Sequence, residues 1–173
     1  SALQSLEFVD PERIGLWGHS MGGNIILRAL TVNTEIPSAV IWAGTVFTYE
    51  DFMEYGIDDD SYEPPSEDAP RRERRQTLFA VHGRFDPESD FWQKVSPVDY
   101  LGDIKGSIQL HHAVNDAVSS VEYSRNIESL LRDAGVSAEL FEYSQGGHNI
   151  ESPSFSVAME RTVEFFERSL AEK

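Results

Sequence analysis

Ser20 stands in Gly18-His19-Ser20-Met21-Gly22, a G-x-S-x-G string. A serine hydroxyl is a weak nucleophile until a base takes its proton, and that base needs an acid to orient it. Of the five histidines, His148 is the best-placed base. It lies in Gln145-Gly146-Gly147-His148-Asn149, a glycine-rich loop after the last strand-like segment. Two acids compete. Asp116 follows the strand-like Ile108-Gln109-Leu110-His111-His112, and Asp86 ends Val81-His82-Gly83-Arg84-Phe85-Asp86. Asp116 is preferred, because one helical segment alone separates its strand from the one carrying His148, so the two loops should be neighbours. The chemistry of such a set is acyl transfer. Ser20 attacks a carbonyl, His148 shuttles the proton, Asp116 fixes the imidazole tautomer and the Met21 N–H binds the oxyanion. No cofactor and no metal is required.

The remaining histidines are assigned duller roles. His19 is expected to leave the serine turn in another direction. His111 and His112 alternate across a strand, so they face opposite sides and share no metal. His82 falls in an irregular stretch.

These residues need a scaffold that brings strand ends together. Arg13–Trp17 reads as a strand entering the serine turn, and an apolar helix from about Met21 to Val32 leaves it. Gly18 and Gly22 are expected to be the glycines demanded by crowding between turn and helix. Further strands are expected at 38–43, 108–112 and 138–143. Ser119 and Glu122 read as a capping box for the next helix, with Ile127, Leu130, Leu131 and Ala134 at helical spacing. A last helix carries Phe155, Met159, Val163, Phe166 and Leu170 on one face. Strands alternating with helices imply an α/β fold with a parallel sheet. Residues 45–94 break this rhythm with an acid-rich run at 50–68, arginines at 71, 72, 74 and 75, and prolines at 64, 65 and 70. They are expected to form a solvated lid or cap segment, with Phe47, Phe52, Tyr55 and Tyr62 turned to substrate.

The formal net charge of −16 disfavours nucleic acid and anionic membranes as partners. No apolar run approaches the roughly 18 residues of a membrane span. The absence of cysteine excludes thiolate chemistry and leaves the redox compartment open.

The chain resembles the α/β-hydrolase superfamily, and within it the catalytic domain of the prolyl oligopeptidase family: dipeptidyl aminopeptidases, acylaminoacyl peptidases and related esterases. The residues that carry the resemblance are Gly18-His19-Ser20-Met21-Gly22-Gly23, Phe91–Val98 with its Ser96-Pro97, Ile104–Ile108 leading to Asn115-Asp116, and Gly146-Gly147-His148. The order Ser20, Asp116, His148 is that of the superfamily. The resemblance implies a serine hydrolase of carboxylic esters or of peptide and amide bonds. Esters are favoured over peptides because no propeller is visible. It also implies that the chain corresponds to the C-terminal half of such a domain, from the serine turn onward. The strands that precede the turn in the family, and the loop that brings a second oxyanion donor, have no counterpart in the twelve residues before Arg13. The expected partners are therefore a small ester or peptide substrate and a second chain carrying the N-terminal half, or self-association. The rival reading is a non-catalytic half-domain that only assembles.

Overall fold

The computed structural model describes residues 3–58 and 69–171. Four parallel strands form one sheet in the order β1 (Leu16–His19), β2 (Ser38–Trp42), β3 (Ser107–Ala113) and β4 (Ala138–Tyr143). The crossovers run through α1 (Met21–Val32) and α5 (Glu122–Asp133), and α6 (Phe155–Ser169) follows β4. The segment between β2 and β3 holds α2 (Tyr49–Tyr55), α3 (Ala69–His82), α4 (Asp90–Val95) and a 3-10 turn at Pro97–Asp103.

Strand alternation sorts the side chains into two cores. Ala39, Ile41, Ile108 and Leu110 face α1 and α5, where Leu27, Leu30, Ile127 and Leu131 are almost fully buried. Val40, Trp42, Ala113 and Tyr143 face the other way, onto Ala158 and Phe165 of α6. Each buried Leu or Ile of this kind contributes about 1.5–3 kcal/mol relative to an exposed one. All strands run one way and both faces are covered, which is why β2 reads as an unbroken apolar run. Parallel order also brings every strand's C-terminal end to one edge, where the loops after β1, β3 and β4 meet.

Several local expectations are corrected. The first strand covers Leu16–His19, so Arg13–Gly15 is an irregular approach to it. The capping box is not formed: α5 starts after Val121 without a side-chain cap, and Ser119 bonds elsewhere. Gly18 is the crowded glycine of the turn, since a Cβ there would lie 2.6 Å from Ile26 Cδ1. The second crowded position is Gly23, not Gly22, whose Cβ would meet nothing within 4 Å.

Phe47 is buried core, and its ring closes over Gly23 and Gly44. The helix after it is anchored to α5. Asn126 Nδ2 donates to Asp51 Oδ1 at 2.8 Å, and Tyr123 Oη donates to the Gly56 carbonyl at 2.9 Å. Tyr55 packs edge-on against Tyr123, whereas Phe52 is exposed. Tyr62 lies outside the described residues.

Candidate active site

Ser20 sits between β1 and α1 with φ 55° and ψ −124°. A side chain resists this backbone, so surrounding structure must impose it. The Ser20 N–H donates to the Trp42 carbonyl at 2.9 Å, and the Gly23 N–H donates to the Ser20 carbonyl at 2.9 Å. These bonds hold the turn from the neighbouring strand and from the helix. Although Ser20 occupies the N-cap of α1, its hydroxyl makes no capping bond. Met21 opens the helix, and a first-turn N–H has no carbonyl earlier in the helix to take it.

Asp116 and His148 come together at the same edge. His148 Nδ1 lies 2.8 Å from Asp116 Oδ2, and the Asp116 side chain is fully buried while His148 is 17% exposed. A carboxylate only accepts, so the Nδ1 hydrogen is directed at Asp116, and in the neutral ring the lone pair is then on Nε2. The loops are also tied through backbone, since the Gly147 N–H donates to Asn115 Oδ1 at 3.0 Å. Asp86 is no competitor in this geometry. It is exposed and caps a local turn, accepting from the Glu88 N–H at 2.9 Å.

Asp116 accepts from five donors. Oδ1 takes the Val118 and Ser119 N–H groups at 2.8 and 3.0 Å, the pattern of an Asx turn. Oδ2 takes His148 Nδ1, the Ser119 hydroxyl at 3.0 Å and His112 Nε2 at 3.1 Å. Burial by itself would raise this carboxyl. The bonds from His112 and His148, with those from the Ser119 and Val118 N–H groups, outweigh it and hold the group well below the usual carboxylate range. These bonds favour the anionic form of Asp116.

Three neighbours escaped the reading from sequence. His19 does turn to the site: its Nε2 donates to the His148 carbonyl at 2.8 Å, and the two rings lie 4.6 Å apart. That contact joins the serine turn directly to the histidine loop. Ser119 and His112 both reach Asp116. The spacing signal was present, since His112 lies four residues before the acid and Ser119 three after it. His111, on the opposite face, is enclosed by Tyr143, Gln109 and Thr162 instead. Among the described residues no group of three or more His, Asp or Glu side chains is arranged to hold a metal ion.

The profile of the family described as BAAT / Acyl-CoA thioester hydrolase C terminal matches residues 1–171. No curated protein sequence matches. Among solved structures, the acylaminoacyl peptidase of Pyrococcus horikoshii superposes with a TM-score of 0.70 at 23% identity, over 99% of this chain and 26% of that one. A puromycin-hydrolyzing peptidase from Mycobacterium tuberculosis gives 0.69 at 20% identity, over 99% and 24%. Porphyromonas gingivalis dipeptidyl peptidase 4 gives 0.69 at 19% identity, over 97% and 21%. The chain thus spans about a quarter of the length of these structures.

Proposed function

This chain belongs to the BAAT / acyl-CoA thioester hydrolase C-terminal family, and on that premise we propose that it carries the nucleophile, base and acid of a serine hydrolase. The observation that carries the proposal is the pairing of two features at one sheet edge. One is a serine in a strained strand-to-helix turn whose hydroxyl makes no capping bond. The other is a buried Asp116–His148 pair whose neutral imidazole has its lone pair on Nε2.

Ser20 Oγ attacks the acyl carbonyl as His148 Nε2 removes its proton. Asp116 stabilises the imidazolium that forms, and the Met21 N–H, at the N-terminus of α1, receives the oxyanion. Collapse expels the leaving group, which takes the proton from His148. Water then attacks the acyl-enzyme by the reverse route. Esters and thioesters suit this site better than amides. Alkoxide or thiolate departure demands less of the oxyanion hole and of the acid than amine departure does, and one donor alone is assigned here. A second donor is expected from whatever covers the open side of β1.

The test is turnover of a short-chain aryl ester, an acyl thioester and an anilide by the wild type and by Ser20→Ala. We expect ester and thioester hydrolysis, abolished in the variant, and labelling of Ser20 alone by a fluorophosphonate. Activity that survives Ser20→Ala, or labelling at another residue, would remove Ser20 from the mechanism.

A further inference from the structure

His112 is fully buried on the α5 side of β3. Its Nδ1 lies 2.7 Å from Ser124 Oγ on α5. Its Nε2 lies 3.1 Å from the Ser119 carbonyl and 3.1 Å from Asp116 Oδ2. Both partners of Nε2 are acceptors only, so the ring hydrogen sits on Nε2 and the Ser124 hydroxyl donates to Nδ1. One ring proton satisfies every group in the cluster.

Burial alone requires only that both ring nitrogens find partners. Ser124 and the Ser119 carbonyl already provide them. The third contact falls on Oδ2, the same oxygen that receives His148 Nδ1–H. We infer that His112 is a positioning residue of this site, a donor anchored on α5 that keeps Oδ2 of Asp116 turned to His148. This rests on the reading of Ser20, His148 and Asp116 as a hydrolase site. The acid stands on the irregular turn after β3, and such turns hold a side chain less firmly than a packed helix does. The chain Ser124–His112–Asp116–His148 carries the rigidity of α5 to the base through side chains alone. The Ser119 hydroxyl, 3.0 Å from Oδ2 and 3.4 Å from His148 Nδ1, closes the remaining side.

The test compares His112→Leu, which fills the space without a donor, with His112→Gln, whose amide N–H reaches toward the same oxygen. In ¹⁵N-histidine-labelled wild-type protein we expect hydrogen-bonded imidazole protons at low field from His112 Nε2 and His148 Nδ1, beside those of His19 Nε2 and His111 Nε2. His112→Leu should remove the His112 proton and move the His148 proton, while His112→Gln should remove the former and leave the latter near its wild-type position. With the aryl ester, kcat in His112→Leu should fall about ten- to a hundredfold, the scale of one hydrogen bond to a charged group. KM should stay within about twofold, and His112→Gln should recover most of the loss. Ser124→Ala, which frees Nδ1 without touching Asp116, should move the His148 proton in the same direction by less, and it serves if the leucine variant does not fold. A His148 proton unmoved in His112→Leu, or in Ser124→Ala where that variant stands in, overturns the inference. So does an equal loss of kcat in the leucine and glutamine variants. If the wild type hydrolyses none of the esters, the hydrolase reading fails by itself, and the His148 proton still decides whether His112 positions Asp116.

Discussion

Ser20 bears a conformational cost that its hydroxyl does not offset. Its φ of 55° and ψ of −124° suit glycine and cost any other residue about 1–3 kcal/mol. Ser20→Gly should therefore be more stable than Ser20→Ala by about that amount in urea unfolding, while both lack ester hydrolysis. Equal stability of the two would mean that the turn is not strained in solution. At the acid, Asp116→Asn presents an amide to His148 Nδ1 and promotes the wrong tautomer. The proposed acylation should slow by about 10⁴-fold, the scale seen when a triad acid is replaced in this way. Asp86→Asn should leave the rate unchanged, because Asp86 is exposed and serves its own turn. Stopped-flow acylation with an aryl ester separates the two, and the reverse ranking would move the acid to the other loop.

At the scale of elements, β3 presents chemically different histidines to its two faces. His111 faces α6, where Tyr143 Oη approaches Nδ1 at 2.8 Å and Gln109 Oε1 approaches Nε2 at 2.6 Å. Arg161 lies over the Phe141 ring at 4.2 Å and bonds Tyr143 Oη at 3.3 Å. Burial first, and the Arg161 charge second, push the His111 imidazole down to about 3. A folded value below the unfolded 6.5 means that the unfolded chain binds the extra proton between those limits. This contribution to stability is complete above pH 6.5 and is lost as pH falls toward 3. We expect His111 to contribute a steady decline of stability as pH falls across that window. His111→Gln, which cannot titrate, should flatten the urea-unfolding profile there. A profile of unchanged slope would refute the assignment. Asp116 works in the same direction at lower pH, since its stabilisation is intact above its unfolded value near 3.8 and fades below it.

On the scale of the whole molecule, the sheet ends abruptly at β1. That strand pairs with β2 on one side and, among the described residues, with no strand on the other. Trp17 on this edge is 52% exposed, and Met21 and Ile25 on the adjoining helix are exposed as well. An open apolar edge invites another strand. We propose that further strands of the same kind of domain cover it, supplied by a second chain or, failing that, by self-association. They would also bring the second oxyanion donor. The expected outcome is a mass above 19.5 kDa by light scattering at low concentration, or a co-eluting second chain. A well-folded 19.5 kDa monomer with β1 open to solvent would defeat the proposal.

Much of this was legible from local pattern. The glycine-flanked serine, the apolar run of β2, and the helical spacing of α5 and α6 arise from interactions a few residues apart. Side-chain period and turn chemistry act over that range, so the α/β alternation could be read directly. What tertiary structure alone decided were the contacts between segments distant in the chain. Phe47 is core because its ring meets Gly23 and Gly44, which no spacing rule connects. Ser119 turns from capping α5 to holding Asp116 because the carboxylate is buried beside it and competes for its hydroxyl. His19 meets His148 across 129 residues of sequence, and His112 meets α5 only once β3 is packed beneath it. Alternation along β3 places His111 and His112 on opposite faces. Which face holds the acid is set by how the helices pack, and that depends on the summed fit of two cores rather than on any local run of residues.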